Sequence, residues 1–321
     1  MKISVAMTTC NGATFLRPQL DSLRTQLRPL DELVICDDCS SDDTWRILEQ
    51  YQRQYPHFPM LLHRNRENIG FQKNFRQALK LCSGDILFFC DQDDIWEPQK
   101  ILLMCRLFRE NPQMQALASS FTMIDAEGRP AADPKTRGWS NHNLYHGVLA
   151  EGALTRVDPE KLLFQNICQG CALAFRAGIR ERFLDSFAEK PHYDWQLNLL
   201  AASSGALFFL NEPLFRYRIH NANALGLRSN AAPAERLTLP RRAEQTREAL
   251  AAAAYLRRIA PDAADADPRI ARKVRFLKRH LHYLENRKTI GLLFLLADPL
   301  YYELRQSWRG RAADLLYSLR G

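Results

Sequence analysis

Five short apolar runs restrict this chain more than any other feature in it: Lys2–Met7, Leu33–Cys36, Met60–His63, Ile86–Cys90 and Gln115–Ile124. Runs of this length suit strands buried on both faces. Between them apolar residues recur at helical spacing, as in Phe15, Leu16, Leu20, Leu23 and Leu27, or Phe71, Phe75, Ala78, Leu79 and Cys82. Thr14 is expected to cap the first of these helices. Ser40 or Ser41 is expected to cap a further helix that runs to about Tyr55, with Asp42 and Asp43 in its first turn favouring the helix dipole. Strand and helix in alternation predict an α/β fold around a parallel, doubly wound sheet.

Two of the runs end in acid. Asp91, Asp93 and Asp94 follow Ile86–Cys90, and Asp37 and Asp38 follow Leu33–Cys36. Carboxylates crowded at the end of a buried strand repel one another and gain nothing from burial. A divalent cation reverses that cost. Mg²⁺ and Mn²⁺ favour oxygen ligands, and ligands bind at the carboxyl ends of strands in open α/β sheets. The plainer alternative is a solvated acidic turn. The patterns G-x-G-x-x-G and G-x-x-x-x-G-K-[ST] are both absent, so a nucleotide bound here is held by other means.

At 321 residues, 46% hydrophobic and 25% charged, the chain reads as a soluble globular protein with a real core. Its N-terminus enters a strand directly, which reads as no signal peptide. The longest apolar stretch, Ile290 to Tyr302, contains Asp298 and Pro299 and is too short to span a bilayer. Eight cysteines in that setting read as reduced thiols in a cytoplasm. The pairs Cys36/Cys39 and Cys168/Cys171 lie too far apart for a zinc ribbon and are expected to be buried free thiols. The net charge of +8 is unevenly placed: from Arg228 onward there are 19 Lys and Arg against 10 Asp and Glu. Such a tail suits an anionic partner, a membrane surface or a nucleic acid. The acidic strand ends would repel a nucleic acid, so none is expected.

Ala131 to Asn166 is rich in loop signals. Beyond it, Cys171–Phe175 and Ala206–Leu210 read as strands, Gly178–Phe187 and Leu197–Ala202 as helices, and Pro213–His220 as extended. From Glu235 the pattern is helical, with breaks at Pro261, Pro268 and Pro299. Basic groups such as Arg272-Lys273 and Lys278-Arg279 are interleaved with apolar positions, and Leu292–Leu296 precedes Tyr301, Tyr302 and Trp308. Such helices either lie on an anionic membrane surface or form a bundle over the rest of the chain.

Taken in order, several motifs resemble those of the family-2 glycosyltransferases, inverting enzymes of the GT-A fold. They are Met7–Gly12, Asp37–Asp42, Asn68-Ile69-Gly70 with Asn74, Asp91-Gln92-Asp93-Asp94 and His192-Tyr193-Asp194-Trp195. The resemblance covers residues 1 to about 225. It departs at Cys10, where an aromatic is usual, and at Cys39, which replaces a glycine. The run Asp-Gln-Asp-Asp-Ile-Trp is similar to that of rhamnosyltransferases.

The resemblance implies a GT-A-like doubly wound mixed sheet over residues 1–227, with a nucleotide-sugar part (1–125) and an acceptor part (126–227). A basic helical extension then occupies 228–321. Asp91 and Asp93 would hold Mg²⁺ or Mn²⁺, with His220 either a further ligand or a structural histidine, and Asp94 a ligand or a brace for the loop. Asp38, with Asp37 as alternate, would meet the base beside Thr8 and Asn11. Lys73 would meet the nucleotide or only solvent, and Arg218 a phosphate. Asp194 is expected to be the general base, or else a helix cap. His192 and Trp195 lie on the acceptor side, where Trp195 either stacks on a sugar or sits in the core. The implied reaction is inverting transfer of a hexosyl group, rhamnosyl by that likeness. The donor is dTDP- or UDP-linked, and the acceptor is a hydroxyl of a growing surface glycan or lipid-linked acceptor at the inner face of a membrane. A sugar-nucleotide pyrophosphorylase lacks support, because no glycine-rich basic loop is present near the N-terminus. A catalytically silent scaffold would not need Asp91, Asp93 and Asp194 together.

Overall fold

A computed structural model describes residues 1–131, 148–221, 239–305 and 308–319. The chain runs β1 (Ile3–Thr9), α1 (Leu16–Arg24), β2 (Glu32–Asp37), α2 (Thr44–Gln54), β3 (Met60–Arg64), α3 (Phe71–Leu81), β4 (Ile86–Cys90), β5 (Ile95–Trp96), α4 (Lys100–Glu110) and β6 (Ala116–Ile124). It continues through β7 (Leu154–Arg156), β8 (Leu173–Arg176), α5 (Ala177–Ser186), α6 (Tyr193–Ala202) and β9 (Leu207–Arg218). The helices α7 (Leu239–Ile259), α8 (Pro261–Ala266), α9 (Pro268–Glu285), α10 (Thr289–Leu295), α11 (Pro299–Arg305) and α12 (Trp308–Leu319) follow.

One mixed sheet holds all the strands, in the order β3-β2-β1-β4-β8-β6-β9-β5, with β7 on β9. Strands β3, β2, β1 and β4 are mutually parallel, and β8 runs antiparallel to β4. Every residue of β1 and β4 is buried; β4 is an unbroken apolar run, whereas β1 also buries Ser4, Thr8 and Thr9. Phe88 and Phe89 are fully buried, and each contributes about 2 kcal/mol by leaving water. Register places the site. Thr9 pairs with Asp37 and Met7 with Cys90, so the acids after β2 and β4 emerge along one edge. Strand β9 then returns beside β5, pairing Ile95 with Arg216, and delivers Arg218 to the loop that carries Asp93 and Asp94.

The local starts differ from expectation. Phe15, not Thr14, occupies the N-cap of α1 and makes no side-chain cap bond; the carbonyl of Gly12 takes the N–H groups of Phe15 and Leu16. The N-cap of α2 is Asp43 rather than Ser40 or Ser41. Ser40 donates to Asp37 instead, and Ser41 donates to the side-chain oxygen of Asn11. Helix α6 begins four residues early, at Tyr193, which puts Asp194 in its first turn. Pro213 does not divide β9; the strand absorbs it with a register shift against β6. The expected boundary at residues 227/228 lies outside the described residues.

The C-terminal helices break where prolines were read, with Pro261 and Pro268 in the first turns of α8 and α9 and Pro299 opening α11. They also break at Arg287, which has a positive φ of 49°. These helices share the main core through Ala252, Tyr255, Leu256 and Ile270. A second cluster, built on Phe164, Phe276, Leu284, Leu292 and Tyr301, joins them to the loop before β8. Within it Asp314 is fully buried and accepts from Arg242, from Tyr301 at 2.8 Å, and meets His280 Nε2 at 3.0 Å. Removing one partner of a buried ion pair strands the other charge. Asp314→Asn should therefore cost about 3–5 kcal/mol in urea denaturation; a shift below about 1 kcal/mol would mean that Arg242 finds other compensation.

A second constraint ties β1 to β4. The Gln92 amide accepts from the Cys10 N–H at 2.8 Å and donates to the Cys10 carbonyl at 3.0 Å. A Cβ on Gly12 would stand 2.1 Å from Gln92 Oε1. Gly12→Ala should displace that amide and cost about 1–3 kcal/mol. Adding Gln92→Ala to Gly12→Ala should then cost little more, and full additivity in the double-mutant cycle would show that the two are not coupled.

Candidate active site

The site is the edge where β1, β2 and β4 end and β9 returns. Asp37 is fully buried and is used internally: it accepts from Thr9 Oγ1 at 2.9 Å and from the N–H and hydroxyl of Ser40, with Arg64 Nε at 3.5 Å. Asp38, only 2% exposed, accepts from Asn65 Nδ2, the Ile69 N–H and the Gly70 N–H, each at 2.9 Å. It thereby fixes the Asn68–Gly70 loop at the start of α3, where Gly70 has φ +82°. A carboxylate offers about four acceptor positions; each of the two accepts three hydrogen bonds, the Arg64 guanidinium faces Asp37 as well, and Asp38 retains one position. Cys39, at the position of the family's glycine, adopts φ +58° and is strained for a side chain of its type. Asn11 has φ +50° and links the β1 turn to Ser41. Thr8 is buried at the end of β1, and Lys73 is exposed on α3.

The acids after β4 split into two groups. Asp93 Oδ2 faces His220 Nε2 at 2.8 Å, and the His220 ring stacks near Phe15, centroids 4.5 Å apart. Asp91, Asp94 and Cys171 bring one donor atom each within 4.8 Å of one another. Burial and then the Asp93 charge push the Asp91 carboxyl up to about 7. The same causes, with Asp91 added, hold Asp94 well above the usual carboxylate range. Asp94 Oδ1 accepts the Arg218 N–H at 3.1 Å, while its buried Oδ2 has no hydrogen-bond partner. Beneath them Lys100 is fully buried, donates to the Cys171 carbonyl at 2.6 Å and lies 4.1 Å from the centre of the Trp96 ring. Burial brings its ammonium down to about 8, against the pull of the nearby acids. The oxygen-rich set of Asp91 and Asp93, with His220, suits Mg²⁺ or Mn²⁺; the Cys171 thiol suits neither. By donor chemistry these carboxylates fit such an ion, whose charge would offset the repulsion among the acids; among the described residues, however, the donor atoms that converge are those of Asp91, Asp94 and Cys171, and Asp93 with His220 stands apart from them.

Asp194 sits in the first turn of α6. Its Oδ1 accepts the Trp195 N–H at 2.8 Å and its Oδ2 the Gly170 N–H at 3.0 Å. Burial raises its pKa above the usual aspartate value, opposed by His192 and by these N–H groups. Its charge in turn raises Asp91, which places the two carboxyls in one electrostatic environment. Gly170 has no room for a side chain, since a Cβ there would lie 2.2 Å from the Tyr193 hydroxyl. His192 is the N-cap residue of α6; its Nε2 lies 3.8 Å from Glu248 on α7, and its ring packs near Phe71.

Of its two expected places Trp195 takes the core, and Arg218 takes a form other than the one expected. Trp195 is a core residue, 4% exposed and donating to the Leu162 carbonyl at 2.8 Å, so its ring is not offered to a sugar. Arg218, expected at a phosphate, is 3% exposed and donates to the carbonyls of Asp93, Asp125 and Ala126. The two C-x-x-C pairs form no joint site among the described residues, and all eight cysteines are free. Lys100 and Gln92 escaped sequence reasoning. Lys100 follows Glu97-Pro98-Gln99 and reads as a solvated helix start, and Gln92 reads as the spacer between two acids.

No helix among the described residues is long and apolar enough to cross a membrane. The chain is 28% identical over 227 residues to the dTDP-rhamnosyl transferase RfbG of Shigella flexneri, covering 68% of this chain and 73% of that protein. It is 25% identical over 222 residues to the uncharacterized protein Rv1520 of Mycobacterium tuberculosis, covering 68% of this chain and spanning 59% of that relative's length. Residues 1–349 of Staphylococcus aureus TarS in complex with UDP superpose with a TM-score of 0.59 at 18% identity, over 99% of this chain and 89% of that one. The mannosyltransferase PcManGT from Pyrobaculum calidifontis, in complex with GDP-Man and Mn²⁺, gives 0.60 at 16% identity, over 99% and 86%. The fold is thus that of the GT-A glycosyltransferases. The Glycosyl transferase family 2 profile matches residues 4–183, more than half of the chain, and the chain belongs to that family.

Proposed function

We propose that this protein is an inverting glycosyltransferase that moves a sugar from a nucleotide-sugar donor to an acceptor hydroxyl. One observation carries the reading: the sheet register sets Asp38, Asp91 and Asp93 along one edge, and Asp194 on α6 bonds the Gly170 N–H next to Cys171, whose donor atom lies within 4.8 Å of that of Asp91. In this reading Asp38 takes the N–H of the base on its one remaining acceptor position. Asp91, Asp93 and His220 hold Mg²⁺ or Mn²⁺. Such an ion, when bound, neutralises a departing diphosphate as a Lewis acid. Arg218 acts as a positioning residue, since its guanidinium holds the carbonyl of Asp93 in place. Thr8 and Asn11 shape the nucleotide turn, and Lys73 faces the solvent from which the donor arrives.

Asp194 is the general base. Its two backbone bonds orient it, and each oxygen keeps a lone pair for the acceptor proton. The attacking oxygen approaches C1 from the face opposite the diphosphate, which inverts the anomeric centre. The donor sugar is rhamnosyl or another hexosyl on a dTDP or UDP carrier, a choice supported by the likeness to the Shigella flexneri dTDP-rhamnosyl transferase. The acceptor is a growing surface glycan on a lipid carrier, reached from the inner face of a membrane. His192 stands beside the base on the acceptor side. The catalytic part spans 1–227 and the basic helical extension 228–321.

Asp194→Asn should lower turnover by about 10²–10⁴-fold while donor affinity stays near wild type; loss of donor binding instead would remove Asp194 from the base role. A base must be unprotonated, and burial raises its pKa. Turnover should therefore fall as pH drops through a value above the usual aspartate range, and an acid limb at or below that range would contradict the assignment. Donor binding followed by calorimetry should weaken at least about tenfold in EDTA; equal affinity with and without the chelator would remove the ion.

A further inference from the structure

We propose that the outward face formed by α10 and the end of α12 is a docking surface for anionic bilayers. Ile290, Leu293 and Phe294 are 71%, 50% and 73% exposed and share one face of α10 by their spacing. Leu316 and Leu319, 54% and 67% exposed, share a face of α12. The two faces adjoin: Thr289 Oγ1 and Ser318 Oγ are 2.9 Å apart, and Ile290 and Leu319 flank that contact. Helix α10 also lies close on the end of α9, because a Cβ on Gly291 would come within 2.8 Å of the Tyr283 ring. Contiguous apolar exposure of this kind marks an interaction surface.

The rim selects the partner. Arg287 and Lys288, immediately before α10, are exposed, as are Lys278 and Arg279 on α9, and Lys288 Nζ reaches His282 Nε2 at 3.0 Å. From Lys278 to Asp298 inclusive there are two acids, and each pairs outside this group: Glu285 with Arg247 at 2.7 Å and Asp298 with Arg272 at 3.2 Å. Arg287 and Lys288 therefore adjoin the apolar face of α10, with two further exposed cations on the neighbouring α9, and no acid of that stretch is bound to them. Aromatic and aliphatic side chains inside a basic rim match a bilayer, where the apolar face enters the acyl boundary and the cations meet anionic headgroups. A second copy of this chain would bring an equal positive rim against the first, which disfavours self-association through this face. The proposal deepens the reading of a lipid-linked acceptor, and it draws on no residue of the catalytic edge.

Co-sedimentation of the full chain tests it without requiring catalysis. The protein should pellet with vesicles of phosphatidylcholine containing about one-third phosphatidylglycerol and stay in solution with phosphatidylcholine alone. Leu293→Ser/Phe294→Ser should reduce the pelleted fraction at least about fivefold, and Arg287→Ala should reduce it about fivefold by removing one charge. Leu102→Ser, an exposed leucine on α4, should pellet as wild type does. All these side chains are exposed, and circular dichroism confirms that each variant is folded. Equal pelleting of the Leu293/Phe294 variant, absence of pelleting with anionic vesicles, or a concentration-dependent dimer that this variant abolishes would each overturn the proposal. None of those results would alter donor binding or transfer, so they leave the transferase reading to its own test.

Discussion

Carboxylates that emerge together from a strand buried on both faces dominate this molecule. Asp91, Asp93 and Asp94 follow the fully buried β4, and burial together with their mutual repulsion pushes Asp91 up to about 7 and holds Asp94 well above the usual carboxylate range. Protein groups offset part of that cost: the Arg218 N–H on Asp94, His220 on Asp93 and the buried Lys100 below. Carboxyls held this far from their ordinary range mark a candidate functional site, and the proposed cation would offset the remainder. Much of the nearby structure exists to keep this edge in register, including the Gln92 amide against Cys10 and Asp38 against the Ile69–Gly70 turn.

The sheet was legible because burial on both faces leaves a signal that depends on residue type alone. β4 was read over Ile86–Cys90 as it stands, and the helix breaks at Pro261, Pro268 and Pro299 follow from the missing N–H of proline. The caps were less legible. Ser40 has the right chemistry for a cap, yet Asp37 competes for its hydroxyl across three residues of chain. Such competition depends on tertiary geometry, which residue type does not encode. Trp195 and Arg218 illustrate the same limit. Either side chain can serve a ligand or the protein, and only the nearness of the Leu162 carbonyl, or of those of Asp93, Asp125 and Ala126, decides.

The C-terminal helices are joined to the rest by more than a linker. Tyr255 and Leu256 enter the main core, while Lys190–Glu244 and the nearby His192–Glu248 contact connect α7 to the segment just before Asp194. The extension thus bears on the position of α6 as well as presenting its own outer surface. Its charge asymmetry was visible in the sequence, but the buried Arg242–Asp314–His280 network within it was not, because those residues are spread over more than 70 positions.

Anomalous diffraction from crystals soaked with Mn²⁺ and a nucleotide sugar addresses the acidic edge most directly. The account predicts a manganese peak bound by Asp91 or Asp93, with His220 alongside and the donor diphosphate on the same ion. A well-ordered diphosphate lodged elsewhere, with those carboxylates bare, would contradict it.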